Sequence, residues 1–319
     1  MNILSALLAD SDAELERDIP GCRTRRIAQG VWECLPEHSA GSPLVLCAGI
    51  HGDETGPVEV LAELVDAACM GELLPRRPWL FAFGNLAALR LGRRYLECDL
   101  NRCFRGAPHA GAAKIEVARA HALSQALSIF ALHGKGLLLD LHSTIRASLH
   151  PSFAIRPTAT PGSGATPGLL ATCGVPVLVE AGVEAPTFSA TAAREHGYEA
   201  YTFELGRVRA LGAGSSEELD ALRNGLWRLI EAARPPESAA SPRVYRVKRE
   251  ILKRSDDFAL HVPADAPNFL PLQTGQLLAE DSPSRWFAEE GECLLFPNPD
   301  VAPGTRAVVL VRPVESGAT

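Results

Sequence analysis

The chain is poor in aromatic residues, at 6%, and carries only two methionines and no Cys-x-x-Cys pair. Its eight cysteines are scattered through apolar segments. A thiolate zinc site needs closely paired cysteines, so none is expected, and reduced, buried thiols of a cytoplasmic protein fit better than disulfides. No run approaches the ~20 consecutive apolar residues of a membrane span. The apolar stretch Ile3–Ala9 lacks a basic start and leads straight into Asp10, Asp12, Glu14 and Glu16, which is not the pattern of a secretory signal. Long basic runs are also missing and the net charge is −7, so the clustered cationic face of a nucleic-acid binder is excluded. A local basic pocket stays compatible with an acidic chain, because a cleft focuses the field of its own charges.

What is present is ordinary for a globular enzyme: 46% hydrophobic and 22% charged residues over 319 positions. That length allows one large α/β domain with a smaller appendage. Residues 1–40 suggest a helix followed by irregular strands. Pro43–Ile50 (PLVLCAGI) is an unbroken apolar run, the signature of a strand buried on both faces. Further strands of this kind are expected at Trp79–Gly84, Gly136–Leu141, Pro176–Glu180 and Tyr201–Leu205. Helical periodicity appears over Pro57–Cys69, Ala113–Leu132 and Ser216–Ala233, the last with a serine cap and acids in its first turn. Strands alternating with helices imply a mainly parallel, mixed sheet flanked by helices. The Pro/Ser-rich stretch Pro235–Pro242 reads as a linker, and short Gly- and Pro-punctuated strands after it as a small β domain. The expected division is therefore 1–236 and 243–319.

In α/β sheets, ligands bind beyond the carboxyl ends of the strands. Directly after the first buried strand stands His51-Gly52-Asp53-Glu54. Imidazole and carboxylate suit zinc, although a His-x-x-Glu pair in a loop is also common as a plain surface cluster. His142 closes another buried strand, where it is either a satisfied core residue or a third ligand. Two His and one Glu would leave an open position on the metal. Asp140, two residues back, is either a partner that orients His142 or an unrelated buried acid. Glu204 sits inside the apolar run Tyr-Thr-Phe-Glu-Leu. An interior acid is either paired, with Arg207 nearest in sequence, or functional with a raised pKa. The segment Arg93–Arg102 gathers three Arg and an Asn. It can grip carboxylates, or it is a solvated loop.

Taken together, the segments GIHGDETGPVEVL (49–61), GNLAALRLGRRYLECDLNRCFRG (84–106), LDLHSTIRASLHPSF (139–153), YTFELG (201–206) and LLFPNP (294–299) resemble the succinylglutamate desuccinylase/aspartoacylase family, which is related to zinc carboxypeptidases. They occur in the family's order and span most of the chain. One departure is Leu86, where relatives commonly have Pro.

The resemblance implies a zinc carboxypeptidase-like α/β domain with a C-terminal β domain that covers or flanks the site. It implies one zinc ion per subunit, held by His51, Glu54 and His142. Glu204 would be the catalytic base and acid, Arg94 would face the carbonyl oxygen, and Asn101 and Arg102 would hold a substrate carboxylate. Ser143–Arg146 looks like the desuccinylase branch, and Arg146 is inferred to meet an additional carboxylate. The activity implied is hydrolysis of N-succinylglutamate to succinate and glutamate, the last step of arginine degradation through succinylated intermediates. Alternatives are a deacylase for another N-acyl amino acid such as N-acetylaspartate, a carboxypeptidase, or a non-catalytic zinc- or ligand-binding relative. The last has no need of an interior base at Glu204. The expected partner is a small-molecule N-acyl amino acid, with neither nucleic acid nor membrane; a homo-oligomer is compatible with that reading. Phe296–Pro299 is expected to be either a lid or a packed turn.

Overall fold

The computed structural model describes residues 2–9, 18–105, 114–162, 165–232 and 241–314. A short helix α1 (Ile3–Leu8) is followed by a hairpin, β1 (Cys22–Ala28) with β2 (Val31–Pro36), whose register shifts between Arg26 and Ala28, in the stretch where irregular strands were expected. Then come β3 (Leu44–Ala48), α2 (Thr55–Met70), β4 (Trp79–Phe83), α3 (Leu86–Arg90), α4 (Lys114–Phe130) and β5 (Leu137–Thr144). The chain continues through β6 (Ser152–Arg156), α5 (Thr166–Thr172), β7 (Val177–Glu180), α6 (Phe188–His196), β8 (Glu199–Arg207) and α7 (Glu217–Glu231). The C-terminal strands are β9 (Arg243–Leu252), β10 (Ala259–Leu260), β11 (Leu277–Asp281), β12 (Ser284–Phe287), β13 (Cys293–Leu295) and β14 (Arg306–Pro313).

One eleven-stranded mixed sheet, in the order β1-β2-β4-β3-β5-β8-β6-β7-β9-β14-β13, runs through the described residues. Its centre, β4-β3-β5-β8, is parallel. The period of two along each strand sorts side chains into two cores. Leu44, Leu46, Leu139, Leu141, Phe203 and Leu205 pack on the side of α2 and α7. Val45, Cys47, Leu138 and Ala200 pack on the side of α4 and α6. Both faces are thus covered, which is why these strands are continuously apolar in sequence. Helix α7 starts at Ser216, whose hydroxyl accepts from the Leu219 amide, an N-cap as its sequence predicts.

β6 and α6 carry no strong sequence signal. Strand β6 lies antiparallel to β8 and parallel to β7, between Pro151 and Pro157.

β9 pairs parallel with β7, so the sheet continues into the C-terminal strands. The expected linker lies mostly at 233–240, outside the described residues. A second, three-stranded sheet, β10-β11-β12, faces β9, β14 and β13 across a core containing Ile251, Leu278, Leu294, Val308 and Leu310. Phe153, Val179, Tyr245, Phe269, Leu295 and Val309 form the apolar seam that joins this β unit to the α/β part. Among the described residues no helix is long and apolar enough to cross a membrane, and every described cysteine is free.

Candidate active site

Strand period places Asp140 and His142 on the same face of β5, opposite Leu139 and Leu141. In register with His142 on the neighbouring strand β8 is Glu204, and in register with Glu204 on β6 is Phe153. Three strands therefore present His142, Glu204 and Phe153 in a row near their ends. His51 follows β3, the other neighbour of β5, and Glu54 caps the N-terminus of α2.

The turn between them depends on Gly52. A Cβ there would lie 2.3 Å from the Leu89 amide nitrogen, 2.4 Å from the Ala88 carbonyl carbon and 2.7 Å from the Arg93 oxygen. The Gly52 amide donates to the Arg94 carbonyl at 3.1 Å, so the same turn fixes the Arg94 segment. Buried Glu116 of α4 anchors the rest of that segment. Its carboxylate accepts from the amides of Leu96, Glu97 and Cys98 at 2.7, 3.2 and 3.4 Å and from Asn85 Nδ2 at 3.2 Å.

His51, Glu54 and His142 offer donor atoms that all lie within 4.8 Å of one another, and all three residues are buried. Both Nδ1 atoms face the Glu54 carboxylate, His51 to Oε1 and His142 to Oε2, each at 2.9 Å. Behind the far nitrogens stand carboxylates: Asp99 Oδ1 is 2.9 Å from His51 Nε2, and Asp140 Oδ2 is 3.1 Å from His142 Nε2. Two imidazole nitrogens and a carboxylate, each imidazole backed by an acid, fit a tetrahedral divalent ion with one position left open. Asp140, undecided from sequence, thus faces the ligand-type His.

The electrostatics agree. Burial pulls the His51 and His142 imidazoles down, but the adjacent carboxylates outweigh it and hold both above their ordinary values, His142 well above. Burial pushes Glu54 up, but the two imidazoles outweigh it and hold Glu54 well below the usual carboxylate range. Glu54 is also met by Arg94 Nη1 at 2.8 Å. Glu204 behaves oppositely: burial raises it to about 7, the nearby His142 opposing and the Glu54 charge adding to the rise. Among the described residues its buried carboxyl has no hydrogen-bond or ion-pair partner, and Arg207, the partner suggested by sequence, is exposed.

The remaining expected residues are distributed around this core. Asn101 is buried in a short 3-10 turn; its Oδ1 accepts from the Phe188 amide at the start of α6, at 3.0 Å. Arg102 is half-buried and donates to the Asn101 carbonyl at 3.0 Å. Arg146 hydrogen-bonds the Ala264 carbonyl of the C-terminal unit. Phe296–Pro299 is a packed turn: the Phe296 amide donates to Asn268 Oδ1 at 2.8 Å and the Asn298 amide to the Ala307 carbonyl at 2.7 Å. Sequence reasoning did not single out Asp99 or Glu116. Asp99 was visible only as one acid in an Arg-rich segment, and Glu116 as one charge on a helix.

The chain's similarities can be set against this geometry. A family model described as the succinylglutamate desuccinylase/aspartoacylase catalytic domain matches residues 40–230, and one described as the AstE/AspA barrel-sandwich hybrid domain matches residues 240–314. A succinylglutamate desuccinylase of Pseudomonas putida is 39% identical over 98% of this chain and 96% of its own length. One from Pseudomonas fluorescens is 38% identical over 94% of this chain and 92% of its own. The crystal structure of a succinylglutamate desuccinylase from Vibrio cholerae superposes with a TM-score of 0.85 at 30% identity, covering 98% of this chain and 96% of that one. Murine aminoacylase 3 shares the fold, with a TM-score of 0.58 at 21% identity over 87% of this chain and 97% of its own.

Proposed function

Because the chain belongs to the succinylglutamate desuccinylase/aspartoacylase family, whose catalytic and barrel-sandwich models together match most of it, we propose that it hydrolyses N-succinyl-L-glutamate to succinate and L-glutamate, with one zinc ion held by His51, Glu54 and His142. The observation that carries this reading is the converging buried triad beside an interior acid, Glu204, that has no hydrogen-bond or ion-pair partner among the described residues. The names of the relatives supply the substrate. Cysteines that are unpaired among the described residues suit the cytoplasm, and the substrate suits a closing step of arginine breakdown.

Zinc, when bound, supplies a Lewis acid that polarises a carbonyl and makes water more acidic. The chain's own residues do the rest. Glu204, with a pKa raised to about 7, takes a proton from the attacking water as its oxygen bonds to the acyl carbon. The Arg94 guanidinium, beside Glu54, meets the negative charge that develops on the carbonyl oxygen. Glu204 then gives its proton to the glutamate nitrogen as the C–N bond breaks. Asn101 and Arg102 hold a substrate carboxylate, Asn101 through its Nδ2 because Oδ1 is engaged by the Phe188 amide. Arg146, which hydrogen-bonds the Ala264 carbonyl, is assigned here to an additional carboxylate. A guanidinium binds such groups bidentately.

The test is a hydrolysis assay on N-succinylglutamate beside N-acetylaspartate, with and without chelator. Chelator-sensitive turnover of the first, restored by zinc, is expected. Preference for N-acetylaspartate would move the assignment to the aspartoacylase branch. A metal-loaded protein inert on both would sink it.

A further inference from the structure

The strand that carries Glu204 does not run evenly beside its neighbour. Between β5 and β8, His142 is in register with Glu204, but Thr144 is in register with Arg207. One residue, Ser143, therefore stands opposite two, Leu205 and Gly206. This is a β-bulge, placed directly after the interior acid. On the other side of β8 the pairing is unbroken: Glu204 faces Phe153 and Leu205 faces Ser152 on β6, and the Gly206 amide donates to the Pro151 carbonyl at 2.8 Å. Gly206 completes the bulge with a φ of +65°, a conformation open to glycine without penalty. Backbone shape rather than space selects it, since a Cβ there would meet nothing nearer than Glu218 Oε2 at 3.8 Å.

Two buried hydroxyls close the gap. Ser143 Oγ donates to the Leu205 carbonyl at 3.3 Å, and Thr144 Oγ1 to the Gly206 carbonyl at 2.9 Å. Each carbonyl thus keeps a partner where the bulge breaks the ladder. Pairing resumes one step on, where the Val208 amide donates to the Thr144 carbonyl at 2.9 Å. Ser143 also reaches the triad. Its amide donates to Glu54 Oε2 at 3.1 Å, the oxygen that His142 Nδ1 meets at 2.9 Å. One residue therefore holds the Glu54 carboxylate by its main chain and the backbone next to Glu204 by its side chain. The Thr144 hydroxyl has a single hydrogen to share, and the Arg146 carbonyl, 2.8 Å away, competes with Gly206 for it.

We infer that Ser143 and Thr144 are positioning residues, whose hydroxyls hold the Leu205–Gly206 bulge and so set the Glu204 carboxyl against the triad. A bulge bends its strand and re-aims the side chains beside it. Reacting groups misplaced by about 1 Å can lose ~10²-fold in rate. Both hydroxyls act through the backbone of β8 rather than on substrate. This rests on the proposed hydrolysis with Glu204 as its base.

The test compares zinc-loaded wild type with Thr144→Val, Thr144→Ser, Ser143→Ala and Gly206→Ala on N-succinylglutamate. Valine keeps the branched shape of threonine and removes only the hydroxyl. Thr144→Val and Ser143→Ala should each lower kcat by about 10- to 100-fold, with KM and zinc content near those of wild type. Thr144→Ser, which keeps the donor, should retain most of the turnover. Gly206→Ala should lower kcat in the same way, because it strains the bulge and leaves both hydroxyls in place; it decides the matter should the hydroxyl variants fail to fold. A lowered melting temperature with unchanged kcat would mean that the hydroxyls only stabilise the fold. A loss confined to KM would move the effect to the Arg146 segment, and a Thr144→Ser variant as slow as Thr144→Val would move it to the lost methyl packing. Any of these overturns the inference while the hydrolase reading stands. If wild type leaves N-succinylglutamate intact, the hydrolase reading fails and the positioning role falls with it.

Discussion

Asp99 Oδ1 lies 2.9 Å from Nε2 of His51, on the side of the ring away from Glu54. The short 3-10 turn that carries Asn101 and Arg102 is capped by this same carboxylate, which accepts from the Asn101 amide at 2.9 Å. One side chain therefore fixes the tautomer of a ligand-type His and the position of the loop proposed to hold substrate. Replacing a carboxylate behind a metal-binding imidazole costs 10- to 100-fold in metal affinity in comparable sites. Asp99→Asn should weaken zinc by about that factor and also raise KM, read by competition with a zinc chelator and by steady-state kinetics. Unchanged zinc affinity would remove Asp99 from the metal shell.

The metal-free triad makes a second prediction. Burial pulls both imidazoles down, but Glu54 and Asp99 beside His51, and Asp140 and Glu54 beside His142, outweigh it and hold both above their ordinary values. A raised His contributes stability that is complete below its unfolded value near 6.5 and is lost as pH rises through the folded value. Glu204, raised by burial to about 7, changes with the same sign: its stabilising proton leaves as pH climbs from the ordinary carboxylate range to about 7. The chelator-treated protein should therefore melt at progressively lower temperature as pH rises above about 6.5, and zinc uptake should release protons. Thermal unfolding against pH and calorimetry in buffers of different ionisation enthalpy check this. A flat melting curve with no proton release would contradict it.

Much of this site was legible in sequence because strand geometry is simple. Buried strands announce themselves as apolar runs, and their carboxyl ends marked His51 and His142 without any structure. The period of two put Asp140 on the face of His142, since residues two apart on a strand share a face, but left its role open. Asp99 and Glu116 were not legible. Asp99 reaches His51 across 48 positions, and Glu116 reaches the Arg94 loop from a helix whose other residues give no hint of it. Such long-range juxtapositions follow from topology, which local periodicity does not encode. Strand β6 escaped for a different reason: five residues between two prolines are too few to show a period.

Glu204 is the residue whose removal should separate chemistry from binding. A Gln of nearly equal shape keeps the packing against β5 and β6 but carries no exchangeable acid proton. Glu204→Gln should retain zinc and substrate affinity while kcat falls by about 10²- to 10⁴-fold, the usual worth of a positioned acid–base. Metal content and single-turnover rates measure the two halves. A metal-replete mutant with near-normal turnover would strip Glu204 of its role.

Gly52 has no room for a methyl group. A Cβ would sit 2.3 Å from the Leu89 nitrogen and 2.7 Å from the Arg93 oxygen, and backbone on either side leaves nothing flexible to yield. Gly52→Ala must therefore push α3 and the Arg94 segment away from the turn that carries His51 and Glu54. A loss of about 2–4 kcal/mol in unfolding free energy is expected, with weaker zinc binding, because the displaced backbone carries two of the three donors. Denaturant unfolding and zinc titration report each effect. Wild-type values for both would mean that the turn relaxes freely.

Glu116 supports the loop from beneath. Its carboxylate is wholly buried, has no ion-pair partner among the described residues, and is held by three backbone amides and Asn85 Nδ2. Aligned N–H donors satisfy the buried carboxyl oxygens in place of water. Glu116→Gln introduces an amide NH₂ where the protein offers only donors. Leu96 keeps an acceptor, while Glu97 and Cys98 face a group that cannot accept. Leaving buried donors unmatched costs about 1–3 kcal/mol each, and the strain falls on the segment leading to Asp99, Asn101 and Arg102. The mutant should unfold more easily and show a raised KM, yet keep most of its zinc, since Glu116 touches none of the three ligand-type side chains. Loss of zinc in proportion to activity would instead mean that the loop and the triad form one cooperative unit, with Asp99 as the link between them.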